Sequence, residues 1–143
     1  MSQAARPGGA LDRLAFEMAR CPFHDFLQPT PVSADPDAGT VVVRVENRPA
    51  LGLSRSGDGI HGGVLAALID IVGHATIAVQ LGRPAPTIDL RIDYLKSASG
   101  PYLIATGKVL RIGRSVGRAD VEITDARGAV VAVGRGTFST AGN

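Results

Sequence analysis

The sequence predicts an α+β domain in which one long apolar helix packs against an antiparallel sheet. Within residues 64–79 the strongly polar side chains are only Asp70, His74 and Thr76, which predicts a buried helix. Five segments rich in β-branched residues predict the sheet, and four of them follow the helix in succession. The sequence contains no internal repeat, and 143 residues are enough for one domain with a buried core.

The first 39 residues are expected to form an N-terminal helix and loop ahead of a single domain at residues 40–143. The Pro-rich stretch at residues 29–36 predicts a loop, and the segment TVVVRVE at residues 40–46 predicts the first strand. A helix is predicted at residues 11–19, because apolar residues recur there at helical spacing: Leu11, Leu14, Ala15 and Met18.

The chain after the long helix is predicted to be strands joined by short turns. Residues 87–95 alternate apolar and polar side chains, and residues 102–112 form the next strand, with a bulge expected at Gly107. Two further strands are predicted at residues 118–124 and 129–138, on either side of a hairpin turn. Because the helix is apolar nearly all round, we expect a second copy of the chain to cover what one sheet leaves exposed.

The composition narrows the possible partners. The 15 basic and 13 acidic residues leave a net charge of +2, and with no Trp the chain has no base-stacking platform for nucleic acid. The single cysteine, Cys21, excludes an intrachain disulfide and a Cys-rich zinc site. The apolar stretch at residues 64–81 has the length of a membrane span, but Asp70 and His74 within it favour a buried helix. No signal segment opens the chain, so we expect a soluble, cytoplasmic protein with no membrane partner.

A His-Gly-Gly turn at residues 61–63 precedes the helix and is the first candidate for chemistry. Glycines at a helix start leave backbone N–H groups accessible, and such a start binds anions and developing negative charge. This arrangement is typical of an oxyanion hole made of backbone. The alternative interpretation is a tight turn without a chemical role.

Asp70 is the second candidate, because an unpaired carboxylate in an apolar helix is costly to bury. It lies about 12 Å along the helix axis from Gly62, too far to act on a carbonyl held at the start of its own helix. A second subunit with an antiparallel helix would bring the two together, which predicts a site shared across a dimer. The alternative is a hydrogen-bonded carboxylate with a structural role.

These residues resemble the motif of the hotdog-fold acyl-CoA thioesterases of the phenylacetate-degradation (PaaI-like) type. The match consists of the turn at residues 61–63 with Asp70 nine positions after the histidine. The strand TIDLRIDYLKSA, the Gly-Arg turn at residues 113–114 and the closing strand at residues 128–138 are similar too, so the resemblance covers residues 40–139. It implies the hotdog fold, in which a five-stranded antiparallel sheet wraps a long central helix.

The resemblance also implies a role for each member of the motif. Asp70 would act as the nucleophile or as the general base on the hydrolytic water. The Gly62 N–H would polarise the thioester carbonyl, and Gly63 would permit close backbone packing. His61 would help to hold the thioester or the leaving thiolate.

Two neighbouring positions bear on Asp70. Relatives commonly carry Asn or Gln six positions before the histidine, where this chain has Arg55. Arginine cannot accept a hydrogen bond, although it could hold a substrate carboxylate or pair with Asp58. Relatives also carry a Ser or Thr near the start of the next strand. Thr87 matches this position approximately and would orient Asp70 or its water, unless it is only a β-forming residue.

Histidines and phenylalanines near the motif offer further candidates. His74 lies one turn after Asp70 on the same helix face, where it could tune the carboxylate or line the acyl pocket. A packed core histidine is the interpretation that we favour. His24 is expected to be solvated or to cap a turn, and Phe23 and Phe26 are candidates for the wall of the acyl pocket.

Cations are needed for the phosphates of CoA, and the Gly-rich turn RIGRSVGR supplies three arginines. Arg114 is our first choice among them. A metal site built from Asp70, His74 and His61 is conceivable, but their spacing has no metal signature, so we expect no metal and no cofactor.

The sequence therefore predicts an acyl-CoA thioesterase that hydrolyses an acyl- or aryl-CoA thioester to the free acid and CoA. We expect a homodimer with shared active sites, assembled into a homotetramer. One alternative is a non-catalytic acyl-CoA or lipid-binding hotdog module, although an acyl-binding groove has no need of a buried carboxylate. The other is a hotdog hydratase or dehydratase, whose relatives carry different His and acid arrangements.

Overall fold

The computed structural model describes residues 8–142 and shows three α-helices and one sheet. A short 3-10 helix at Pro49–Leu51 lies in the loop before the longest helix. The helices are α1 (Ala10–Ala19), α2 (Pro22–Leu27) and α3 (Gly62–Leu81), and the strands are β1 (Thr30–Asp35), β2 (Thr40–Glu46), β3 (Thr87–Tyr94), β4 (Tyr102–Ile112), β5 (Val116–Asp125) and β6 (Val130–Ser139).

The six strands form one antiparallel sheet in the order β1-β2-β4-β5-β6-β3, and α3 packs against it. The predicted α+β class and the hotdog arrangement of a long central helix on a curved sheet are confirmed. The strand count is six, whereas the sequence predicted five. Strands β1 and β3 form the two edges of the sheet.

The prediction of a loop at residues 29–36 is wrong, because β1 occupies most of it and pairs with β2. Proline is tolerated in an edge strand and at a bulge, since no ladder hydrogen bond is lost there. Here the pairing register shifts between Pro31 and Ser33, next to the proline. The prolines therefore restrict this segment to an edge strand and do not prevent a strand.

Two other expectations about the sheet are also corrected. After α3, β4, β5 and β6 pair in succession, but β3 pairs with β6 and not with β4, whose other neighbour is β2. Gly107 is regularly paired, and the irregularity in β4 falls between Val109 and Arg111. A Cβ on Gly107 would lie 2.0 Å from Thr76 Oγ1, so this glycine makes room for α3.

Helix α3 forms the centre of the core. It begins after His61 and ends at Gly82, whose left-handed backbone (φ +69°) donates its N–H to Ala78 O at 2.8 Å. Every residue from Ile71 to Val79 is buried. The sheet covers one side of the helix and α1 covers another. A second copy of the chain is therefore not needed to bury the C-terminal half of α3. By length and mean hydropathy (1.9) α3 could span a membrane, but 67 % of that window is buried inside the fold, as in a core helix.

Candidate active site

The start of α3 is organised by His61, the residue that caps the helix. Its Nδ1 accepts a hydrogen bond from the Gly63 N–H at 2.8 Å, and its own N–H donates to Leu51 O at 2.9 Å. Because Nδ1 is an acceptor, the proton of the neutral ring is on Nε2, and the exposed side chain presents an N–H donor.

Gly62 supplies the backbone donor expected at this end of the helix. As the first helical residue it has no intrahelical acceptor for its N–H. Within residues 8–142 that N–H makes no hydrogen bond, so it is available to a ligand. Its carbonyl accepts from the Tyr94 hydroxyl at 2.9 Å, which fixes the next peptide, between Gly62 and Gly63. A Cβ on Gly63 would lie 3.0 Å from His61 Nδ1, so glycine there leaves space for the capping ring.

Asp70 is half-buried in the middle of α3 and lines a cavity of about 290 Å³. The Thr87 hydroxyl donates to Asp70 Oδ1 at 2.7 Å, so the structure brings these two predicted residues together. Thr87 is the first residue of β3, which places its hydroxyl over the middle of the helix. The wall of this cavity consists of Arg20, Phe23, His24, Ala67, Asp70, Ile71, His74, Pro84, Pro86 and Thr87.

His74 lies in the same wall and is a packed core histidine. Its Nε2 accepts the Ala85 N–H at 3.1 Å, so the neutral ring carries its proton on Nδ1, which lies 3.6 Å from Glu17 Oε2. The ring also packs edge-on against Phe138, with the ring centres 6.3 Å apart. These contacts tie α3 to α1 one turn beyond Asp70.

The N-terminal helices contribute polar residues that the sequence did not reveal as part of the site. Glu17 is 1 % exposed, and its Oε2 lies 3.0 Å from Arg20 Nε. Arg20 and His24 line the Asp70 cavity. A signal for Glu17 was present, since it shares the helix face of Leu14 and Met18, which predicted a buried position.

The expectation that His24 is solvated is wrong, whereas the alternative, that it caps a turn, agrees with its contact to the last turn of α1. It is 6 % exposed, and its Nδ1 lies 2.9 Å from Glu17 O. Burial lowers the pKa of His24 below its ordinary value of 6.5, and the nearby charge of Arg20 lowers it further, against smaller opposing effects that include Asp25 and Asp70. The ring is therefore neutral at pH 7.

A second, more apolar cavity of about 260 Å³ adjoins the first and shares Phe23 and Ala67 with it. It lies between α2 and the first turns of α3, so His61 and Gly63 also line it. The remaining wall is mainly apolar and consists of Phe26, Leu27, Ala50, Leu51, Gly52 and Val64.

Neither of the two predicted arginines lines the Asp70 cavity. Arg55 is exposed in the loop before α3 and lines a hollow formed only by residues 47–59. It forms no ion pair with Asp58 within residues 8–142, and Asp58 Oδ2 instead accepts from the Gly100 N–H at 3.0 Å. Arg114 is exposed in the turn between β4 and β5.

The comparisons with known proteins agree with this architecture. The sequence matches the family described as Thioesterase superfamily over residues 58–132. A Halobacterium salinarum protein named "Putative esterase" is 36% identical over 115 residues, which cover 73% of this chain and 76% of that protein. The medium/long-chain acyl-CoA thioesterase YigI of Escherichia coli is 33% identical over 95 residues, which cover 55% of this chain and 61% of YigI.

A solved structure shows the same likeness in three dimensions. The Escherichia coli PaaI protein, from the phenylacetic acid degradation operon, superposes with a TM-score of 0.74 at 26% identity, covering 90% of this chain and 93% of PaaI. The family match spans the His-Gly-Gly turn, α3 and the strands up to β6. The chain therefore belongs to the thioesterase superfamily.

Proposed function

We propose that this protein is an acyl-CoA thioesterase that hydrolyses an acyl- or aryl-CoA thioester to the free acid and CoA. The observation that carries the proposal is the Asp70 carboxylate, held by Thr87 in the wall of a cavity on an otherwise apolar helix. The relative YigI is named as an acyl-CoA thioesterase, which supports CoA as the thiol.

Asp70 supplies the reacting carboxylate. With Oδ1 engaged by the Thr87 hydroxyl, Oδ2 is the oxygen that faces the substrate or a water. As general base, Asp70 removes a proton from the water whose oxygen attacks the carbonyl carbon. As nucleophile, it attacks that carbon itself, and water then cleaves the resulting anhydride. In both routes the C–S bond breaks, the sulfur leaves with the electron pair, and it takes up a proton.

The oxyanion donor for this carbonyl is the Gly62 N–H of the partner subunit. Within one chain, Gly62 and Asp70 are about 12 Å apart along the axis of α3, so they do not reach one carbonyl. An antiparallel pair of α3 helices places each Gly62 beside the other subunit's Asp70. The exposed Nε2–H of His61 then lies near the sulfur, where a donor stabilises the leaving thiolate.

The edge strand β3 supports this dimer. Its outer edge has no strand partner within residues 8–142, and it exposes large apolar side chains: Ile88 is 60 % exposed and Tyr94 is 56 % exposed. Unpaired edges of this kind template pairing with another strand. Pairing β3 with its symmetry mate continues the sheet across both subunits and sets the two α3 helices side by side.

We assign the binding of a phosphate of CoA to Arg114, an exposed cation in the turn between β4 and β5. The Thr140 hydroxyl donates to Gly113 O at 2.6 Å, and Arg83, just after α3, donates to Thr140 O at 2.6 Å. The Arg114 turn therefore lies at the C-terminal end of α3. In an antiparallel pair, this end points toward the partner subunit's helix start, where the thiol of CoA departs. Arg55 is the second cation near that start.

The acyl group is assigned to the more apolar cavity between α2 and α3. Phe23 and Phe26 form its outer wall, and Leu51 and Val64 form its inner wall. Burial of methylene groups against such a wall is favourable by about 25 cal/mol per Å². The cavity adjoins the Asp70 cavity, so an acyl chain there leaves its carbonyl within reach of the reacting groups.

The test is release of free thiol from a panel of aliphatic and aromatic acyl-CoAs of increasing size, with the full chain as enzyme. We expect release from at least one member and its loss in Asp70→Asn. No release from any member would reject the thioesterase. If acyl-CoA still bound without turnover, the protein would be a binding module.

A further inference from the structure

His24 is a buried histidine that the mechanism above does not use. It lies on α2, outside the motif, and shares the 290 Å³ cavity with Asp70 and Thr87. Its placement depends on the packing of α1 and α2 over the middle of α3. The question is what a ring in this position does beside the reacting carboxylate.

The tautomer of His24 follows from its hydrogen bond to α1. Nδ1 contacts the carbonyl oxygen of Glu17 at 2.9 Å, and a carbonyl only accepts, so Nδ1 carries the proton. In the neutral ring, Nε2 therefore has a free lone pair. Within residues 8–142, Nε2 has no hydrogen-bond partner and is not sealed from solvent, so it is accessible to a molecule in the cavity.

We propose that His24 is a positioning residue for the hydrolytic water, with Nε2 accepting one of its hydrogens while Asp70 accepts the other. Holding both hydrogens directs the lone pair of the water oxygen toward the carbonyl carbon. This role belongs to the general-base route, in which Asp70 keeps a free carboxylate and takes the proton of the attacking water. The inference rests on the proposed function, and it assigns the water a second acceptor on the same chain as Asp70.

Burial and the charge of Arg20 keep Nε2 in its accepting form, against the opposing charges of neighbouring carboxylates. Arg20 lies just after α1, and Asp25 follows His24 on α2. Asp70 and His74 face the same cavity from α3. Burial and Arg20 outweigh the carboxylates, so the pKa of His24 is lower than 6.5 and the ring is neutral at physiological pH.

The decisive variant is His24→Asn, because the Asn amide can place an N–H where Nδ1–H lies and so keep the bond to Glu17 O. It lacks a group at the position of Nε2. We expect kcat for the best acyl-CoA of the panel to fall about 10- to 100-fold with KM unchanged. The wild-type rate falls as pH drops through the lowered pKa of His24, and this limb disappears in the variant. Asp25→Asn, next in the chain and exposed, is the matched control and keeps the wild-type rate.

A second variant separates water positioning from structural support. His24→Ala leaves a hole that free imidazole fits, and we expect added imidazole to restore part of kcat. Wild-type kcat and pH profile in His24→Asn would overturn the proposal while leaving the thioesterase intact. If His24→Asn is less thermostable than the wild type, the imidazole experiment distinguishes the two roles. Absence of rescue would show that His24 only stabilises the packing of α2 on α1. If the wild-type protein itself releases no thiol, the proposed function fails, and the role of His24 fails with it.

Discussion

The two halves of the proposed site, the start of α3 and its middle, are built in different ways. At the start, three consecutive residues supply a cap, a backbone donor and the space for the capping ring. In the middle, the surroundings of Asp70 come from the junction of α1 and α2, from α2 itself, from the segment after α3 and from the first residue of β3. The first half is a local motif, whereas the second exists only once the chain has folded.

This difference predicts which substitutions remove a reacting group and which only change the orientation of one. The backbone donor and the carboxylate act directly on the substrate. The groups around Asp70 act by holding it, or by holding its water.

Asp70→Asn tests the middle of the helix most severely. The amide keeps the size of the side chain and can still accept from Thr87, but it is neither a base nor a nucleophile. We expect kcat to fall about 10³- to 10⁴-fold, measured as thiol release under saturating acyl-CoA. The thermal midpoint should stay within a few degrees of the wild type. An unchanged kcat would show that Asp70 has a structural role alone.

Gly62→Pro tests the helix start. Proline removes the N–H and is well tolerated at the first position of a helix. The residue before it, His61, already has the extended backbone (φ −62°, ψ 135°) that a residue before proline prefers. We expect about 10²- to 10³-fold lower kcat with the fold retained. Gly62→Ala keeps the N–H, and its Cβ lies 3.4 Å from the Tyr94 ring, so it is the matched control. Equal activity of the two variants would exclude the oxyanion role.

Thr87→Val removes only the hydroxyl that holds Asp70 Oδ1. Since the carboxylate remains but is less well oriented, we expect kcat to fall about 10-fold. Thr87→Ser keeps the hydroxyl and should recover most of the rate. A valine variant as active as the wild type would mean that Asp70 is oriented by its helix alone.

The smallest effect concerns the pH dependence of stability. The pKa of His24 is lower in the folded chain than its ordinary 6.5, so the unfolded chain binds this proton more readily. Stability is therefore lost as pH falls below 6.5 and through the lowered pKa. Between about pH 7.5 and 5, the thermal midpoint should fall more in the wild type than in His24→Asn. Parallel curves for the two proteins would contradict this assignment.

The same contrast explains what the sequence could predict. The apolar run of α3 and the alternation in β3 are local patterns, so the helix and most strands were predicted nearly at their observed bounds. The partners of strands are not local, and the pairing of β3 with β6 was missed. Pro31 concealed an edge strand, because proline removes only a hydrogen bond that an edge does not need.

The site divides in the same way. The structure places Asp70 and Thr87 in contact, and both were identified from spacing and resemblance. Glu17 and His24 were missed, because His24 reaches the cavity, and Glu17 contacts His24 and His74, only once the N-terminal segment has folded over α3. A polar residue on the buried face of an amphipathic helix, as Glu17 is on α1, was the available signal.

In the proposed mechanism, Gly62 and Asp70 of different subunits act on one carbonyl. Mixing two inactive variants tests whether the site is shared in this way. Asp70→Asn and Gly62→Pro chains are unfolded together, refolded at equal amounts and assayed for thiol release. In a mixed dimer, one site combines an intact Asp70 with an intact Gly62, so we expect about a quarter of the wild-type rate to return. A mixture no more active than its separate components would place both groups within one chain and contradict the shared site.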